Sequence, residues 1–179
     1  MTRALGATLI AACSLLGGAP AQAAGDVLDG TRPEAPSFRV KAVTGETLAL
    51  ETLLEKGPVL LDFWATWCKP CLGALPEIQA LHERHAEAGL TVIGVSIDGP
   101  RNFAKVRPFV RRLALDYAIV LDEDGSLQRR YQVQAIPLTV LIGTDGRIAN
   151  VVQGFRPGEA EALDAAVRAL LEPEGAPAP

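Results

Sequence analysis

A chain of 179 residues, 49% apolar and 21% charged, can bury one substantial core, on a scale of about 150 residues per domain. Its net charge of −4 excludes a protein organised around a basic field that neutralises nucleic-acid phosphate.

The first element in chain order is not part of a fold. Arg3 is followed by an almost uninterrupted small or apolar run from Ala4 to Gly18 and then by Ala21-Gln22-Ala23. A basic start, a short apolar stretch and a small-x-small site together describe a cleaved export signal, residues 1–23. The apolar run falls short of the roughly 20 residues that cross a bilayer, and no later stretch is a plausible span. Ile10-Ala11-Ala12-Cys13 keeps a second reading open, a lipobox with Cys13 lipidated, and an uncleaved signal anchor is a third. Cleavage after Ala23 places the mature chain in the periplasm or cell envelope, takes the charge from −4 to −5 with the loss of Arg3, and leaves Cys68 and Cys71. Cysteines in such a compartment usually staple loops. Three residues apart, these two close too small a loop to staple anything, so they are expected to be used in chemistry.

Residues 24–36 are small and polar with two prolines and read as a flexible leader, and residues 173–179 as a frayed tail. Between them, with no linker or repeat, residues 37–172 read as one domain. Phe38–Val43 and Glu46–Leu50 flank Thr44-Gly45 as a hairpin, and Leu53 and Leu54 suggest a helical turn. Pro58–Trp64 is a nearly continuous apolar run, the pattern of a strand covered on both faces. Residues 69–88 carry helical periodicity through Leu72, Leu75, Ile78 and Leu81, with Gly89 placed as the stop and Pro76 as a kink. Thr91–Ile97 is a second buried strand. A basic helical stretch at Pro108–Leu113, a strand at Tyr117–Leu121 and a helical turn at Leu127–Tyr131 follow. Leu138–Ile142 and Arg147–Val152 flank Thr144-Asp145-Gly146 as a second hairpin, and an amphipathic helix closes the chain at about 158–171. This order predicts an α/β fold with a mixed central sheet and helices on both faces.

Trp67-Cys68-Lys69-Pro70-Cys71 stands where the buried strand gives way to the long helix. Unpaired N–H groups and the positive end of the dipole at a helix N-terminus stabilise a thiolate on the first cysteine. Lys69 adds a positive charge, and Pro70 suits a first turn because it has no N–H to leave unsatisfied. Cys68 is therefore expected to be an exposed, low-pKa nucleophile, and Cys71, one turn on and more buried, the resolving thiol. A zinc site would need a second ligand pair, which the mature chain lacks, and a copper carrier would want methionines or a motif histidine.

Asp62-Phe-Trp-Ala-Thr-Trp-Cys-Lys-Pro-Cys71, with Pro76 five residues on, resembles thioredoxin. The stretch from about Ala35 to Leu171, including Gly94-Val-Ser-Ile-Asp98, Tyr131 to Ile142 and Asp145-Gly146-Arg-Ile, is similar to exported thioredoxin-like proteins of the TlpA/ResA type. The resemblance implies a thioredoxin fold with an N-terminal β-hairpin extension, a reversible Cys68–Cys71 disulfide, no bound cofactor and no metal. It also implies a cis proline at Ile136-Pro137, with Ile136 offering backbone hydrogen bonds to an extended substrate segment. Where the family usually has Pro-Thr, Leu138 stands before Thr139, a change expected in the wall of the substrate groove.

Asp62 lies among Val59, Leu60, Leu61 and Phe63, so burial should raise its pKa. The thioredoxin likeness makes it the base that handles the proton of Cys71. The TlpA/ResA-type proteins more often carry a glutamate three positions after the second cysteine, where this chain has Ala74. A structural, hydrogen-bonded aspartate is the alternative. Trp67 is expected to shield the cysteines and form a docking surface; Trp64 is either core or site. His82 and His85 are expected on a solvated helix face, and Arg101, Lys105, Arg107, Arg111 and Arg112 on a solvated basic face rather than a docking patch for an acidic partner.

These readings describe a monomeric envelope reductant acting on protein disulfides and dithiols, with a membrane electron donor and no nucleic-acid partner. An oxidase or isomerase, and a Cu(I) carrier using the cysteines as ligands, remain open. Cytochrome c-type biogenesis is one family role that the sequence neither supports nor excludes.

Overall fold

The computed structural model describes residues 32–156 and 158–172. The signal segment 1–23 with Cys13, the first part of the leader and the tail 173–179 lie outside them. Strands β1 (Arg39–Lys41) and β2 (Thr47–Ala49) form the expected hairpin, and α1 (Leu50–Leu54) follows. Then come β3 (Val59–Trp64), α2 (Lys69–His85), β4 (Thr91–Ser96), α3 (Phe103–Arg112), β5 (Ala118–Leu121) and α4 (Ser126–Arg130). Strands β6 (Leu138–Ile142) and β7 (Ile148–Gln153) and helix α5 (Glu159–Leu171) complete the chain.

Five strands form one mixed sheet in the order β5-β4-β3-β6-β7, with β3 parallel to β4 and antiparallel to β6. The crossover helices α2 and α3 return the chain to parallel neighbours, and the tight turn at Gly143–Gly146 returns it antiparallel. Strand β3 is central, and all six of its residues are buried, which explains its unbroken apolar run. The β1–β2 hairpin closes over the β5 edge, where Val43 N–H donates to the Ile119 carbonyl at 2.8 Å, so that edge is not left open.

The sheet divides the core in two. On one face Leu60 and Trp64 of β3 join Cys71, Leu75, Ile78 and Leu81 of α2, Val106 and Phe109 of α3, and Leu163 and Val167 of α5. On the other, Val59, Leu61 and Phe63 meet Phe38, Leu48, Leu53, Leu127, Tyr131 and Val140.

Two expectations need correcting. Helix α3 begins at Phe103, not Pro108, because Val106 and Phe109, three residues apart, bury one stripe against the core and carry the helix through the proline. Residues 32–36, read as the end of a leader, are tied to the β6–β7 turn. Ile148 N–H donates to the Pro33 carbonyl at 2.9 Å, Ala35 N–H to the Gly146 carbonyl at 2.8 Å, and Arg32 pairs with Asp145 at 2.6 Å. Helix α2 runs unbroken past Pro76 and ends before Gly89, whose φ of +111° is a conformation that favours glycine.

Candidate active site

Strand β3 delivers the chain to Ala65-Thr66-Trp67, and Cys68 caps helix α2. The Cys71 N–H donates to Cys68 Sγ at 3.2 Å, so an orphan amide of the first turn is aimed at the first sulfur. Cys68 and Cys71 are joined as a disulfide with their Cα atoms 5.3 Å apart. Cys71 is fully buried, but Cys68 is only 4% exposed, less open than the expected exposed nucleophile. In the oxidised pair its sulfur is turned onto the helix end and bonded to a buried partner. Trp67, 59% exposed, is the open side chain beside it.

The loop before Cys68 is held by residues whose roles the sequence did not suggest. Buried Asp98 accepts from the Thr66 amide (2.8 Å), the Thr66 hydroxyl (2.6 Å) and the Ser96 hydroxyl (3.0 Å). Ser96 lies opposite Trp64 in the β3–β4 register, which brings the clamp to the point where the chain leaves the sheet. A hydroxyl between two tryptophans and Ser-x-Asp at a strand end were the available signals.

The Ile136–Pro137 bond is cis. Strand β6 pairs Leu138 with Phe63, so the proline stands at the end of β3 from which the cysteine loop departs. Its carbonyl accepts from Gly154 N–H (2.8 Å), and the Gln153 side-chain amide reaches the carbonyls of Ala135 (3.1 Å) and Pro137 (3.3 Å). Ile136 is half-buried against the core. Leu138 does not line a groove beside the cysteines. It is buried with Phe63 and Val140 on the opposite face of the sheet, and the alternation of β6 turns Thr139 to the cysteine face instead.

Thr139 meets Asp62. Its hydroxyl donates to Asp62 Oδ1 at 3.2 Å, while Oδ2 has no partner among the described residues. Burial pushes the Asp62 pKa up to about 7, and the Thr139 hydrogen bond works against that rise. Trp64 is core: fully buried, its ring stacks on Phe109 with centroids 5.4 Å apart. Gly94, across from Asp62, is closely packed: a Cβ there would lie 2.8 Å from Ile119 Cδ1 and 3.0 Å from both Trp64 Nε1 and the Tyr117 ring, so those side chains would have to shift. The Trp64 indole N–H and the Tyr117 hydroxyl are also buried without a partner among the described residues, and burial first, then the Asp62 charge, raises the Tyr117 pKa. Sequence reading passed over Tyr117, which looks like an ordinary strand aromatic.

The histidines do not lie on an open, solvated face. His85 is buried, its Nε2 2.8 Å from Asp164 on α5, and His82 is half-buried, with its ring edge against Tyr117 and its Nε2 3.6 Å from Asp116. Each faces a carboxylate because α2 packs against neighbours on both flanks. The basic residues of α3 are exposed as expected, and the Arg107 guanidinium donates to the Val43 carbonyl. No helix among the described residues is long and apolar enough to cross a membrane.

A central β–α unit with a disulfide-bonded Cys-x-x-Cys at the start of its helix, and a cis proline opposite, defines the thioredoxin class of redox protein. The chain belongs to the AhpC/TSA family, whose model matches residues 31–151, and within the thioredoxin superfamily it is a thiol–disulfide oxidoreductase of the ResA type. It is 35% identical over 124 residues to thiol-disulfide oxidoreductase ResA of Oceanobacillus iheyensis, covering 67% of this chain and 63% of that one. With ResA of Bacillus thuringiensis it shares 32% over 126 residues, 70% of this chain and 71% of the relative. Its fold matches the crystal structure of a thiol:disulfide interchange protein DsbE from Chlorobium tepidum with a TM-score of 0.72 at 28% identity, covering 79% of this chain and 97% of the other.

Proposed function

We propose that Cys68 and Cys71 reduce disulfides of protein partners in the cell envelope. The Cys68 thiolate attacks a partner disulfide, forming one S–S bond while the expelled partner thiolate takes up a proton. Cys71, its proton accepted by Asp62, then attacks Cys68 Sγ and releases the partner as a dithiol. The pair is left oxidised by two electrons, which a membrane donor of reducing equivalents returns. Trp67, Ile136 and Pro137 form the face on which the partner lies.

The observation that carries this reading is the placement of the pair: Cys68 caps α2 with an amide at 3.2 Å, and Cys71 is buried on the face of the sheet that holds Asp62. Residues 1–23 are the export signal, 32–172 the working domain and 173–179 a tail. Cys68→Ser should abolish dithiothreitol-driven reduction of a model disulfide, and Cys71→Ser should accumulate a mixed disulfide visible by mass spectrometry. Trapping by Cys68→Ser instead would reverse the two roles. Tight Cu(I) binding without exchange would replace the reading by that of a carrier. A measured potential near −120 mV rather than near −270 mV would make the protein an oxidant. N-terminal sequencing of the exported form should begin at Ala24; a lipid-blocked terminus at Cys13 or an intact Met1 in the membrane fraction would overturn simple cleavage.

A further inference from the structure

Between Trp67 and helix α3 lies a groove of about 770 Å³ that the exchange chemistry does not use. Phe109 and Pro108 contribute its apolar lining, Thr66 and Trp67 one wall, and Lys105 and Arg112 its charge. Among the described residues no carboxylate lines it. Helix α3 holds Lys105, Arg107, Arg111 and Arg112 and no acid, although the chain as a whole carries −4. Among the described residues neither lining cation has a carboxylate partner. Lys105 Nζ donates to Asn102 Oδ1 at 2.8 Å, and the Arg112 guanidinium sits 4.9 Å over the Phe109 ring. Asp98, the acid behind this wall, is buried with both oxygens engaged by Thr66 and Ser96. Arg107 is turned to the Val43 carbonyl.

An aromatic 59% exposed, beside two cations that have no carboxylate partner among the described residues, is the composition of a recognition site. The volume lies in the range of built ligand sites. We propose that this groove docks an acidic segment of the substrate protein, laid over Trp67 and anchored by Lys105 and Arg112, so that an adjoining disulfide is presented to Cys68. The proposal rests on the exchange reading for its consequence but not for its binding. Trp67 precedes Cys68 in the chain, so a segment held here arrives next to the reactive sulfur. Electrostatic complementarity of this kind acts on encounter and choice of partner rather than on the chemical step.

The test has two arms on the full chain. In the first, the oxidised protein is titrated calorimetrically with cysteine-free hexapeptides of alternating Gly and Asp, or of alternating Gly and Lys. The acidic peptide should bind at least tenfold tighter, and more weakly as salt rises from about 20 to about 500 mM. In the second, disulfide peptides with the same acidic or basic flanks are reduced; the acidic one should show a KM about tenfold lower at similar kcat. Lys105→Glu with Arg112→Glu should invert both preferences, and Lys105→Gln with Arg112→Gln should level them, whereas Lys56→Glu, a like change elsewhere, should leave them standing. Equal affinity for the two peptides, or a preference that survives charge reversal, overturns the proposal. So does binding of phosphatidylglycerol vesicles with none of the acidic peptide. Acidic binding without any disulfide turnover would instead sink the exchange reading and leave the groove assignment intact.

Discussion

The two faces of the central sheet are built from the same strands to different ends. Beneath α1 and α4, Val59, Leu61 and Phe63 join an apolar cluster that includes the ring of Tyr131, whose hydroxyl donates to the Pro36 carbonyl at 2.7 Å. On the other face Leu60 and Trp64 flank Asp62, and with them lie Thr139, Tyr117 and the buried half of the disulfide. Among the described residues no buried side-chain polar atom on the apolar face lacks a partner. The cysteine face carries Asp62 Oδ2, the Trp64 indole N–H and the Tyr117 hydroxyl, all buried without partners among the described residues. Both faces bury an apolar cluster, and a costly, incompletely paired polar cluster is kept within the one on the side that does chemistry. Strand alternation makes this possible, since one residue can change the character of one face and leave the other untouched.

The comparison can be broken by substituting neighbours on β3. Leu61→Ala should cost about 3 kcal/mol in denaturant unfolding while the molecules that remain folded exchange disulfides at the normal rate. A change in exchange chemistry larger than the loss of folded protein would show that the apolar face is not separate from the site. Asp62→Asn should do the opposite. Release of the mixed disulfide should slow by roughly 10²-fold, with the first attack by Cys68 little changed.

Its effect on stability has a definite sign. The folded pKa of Asp62, about 7, lies above the 3.8 of an ordinary aspartate, so the unfolded chain gives up this proton first and ionisation favours unfolding. The penalty is absent below pH 4, grows between pH 4 and 7, and is complete above. Asp62→Asn should therefore stabilise the protein most above pH 7, with a ceiling of about 4 kcal/mol, and not at all below pH 4. A variant less stable at pH 8 that resolves mixed disulfides normally would make Asp62 a structural residue.

Thr139→Val sharpens the same point more gently. It removes the hydrogen bond that holds the Asp62 pKa down, so the rise of the resolution rate with pH should move to higher pH and the rate at pH 7 should fall several-fold. An unchanged pH profile would separate Asp62 from the rate-limiting proton transfer. Tyr117→Phe is the smallest test. The hydroxyl it removes is buried without a partner, so stability should stay within about 1 kcal/mol of the parent or rise. A larger loss would mean that the hydroxyl is satisfied in solution.

Much of this was written along the chain. The unbroken apolar run of β3, the 3.6-residue periodicity of α2 and Gly89 at its end gave the elements, because local pattern and burial obey the same geometry. The position of Cys68 at a helix start followed from the same local rules, as did the burial of Asp62 among aliphatic neighbours. What depended on distance in sequence was not readable. Thr139 is 77 residues from the aspartate it touches, Asp98 is 32 from the threonine it clamps, and Asp164 is 79 from His85. Each pair is made by strand register or helix packing, and a one-residue shift of register would have turned Leu138 rather than Thr139 toward Asp62. Composition and spacing determine which residues can be buried, capped or charged. Only the assembled sheet decides which of them meet: it set Thr139 rather than Leu138 beside the acid, turned two histidines to carboxylates, and opened a cationic groove beside Trp67.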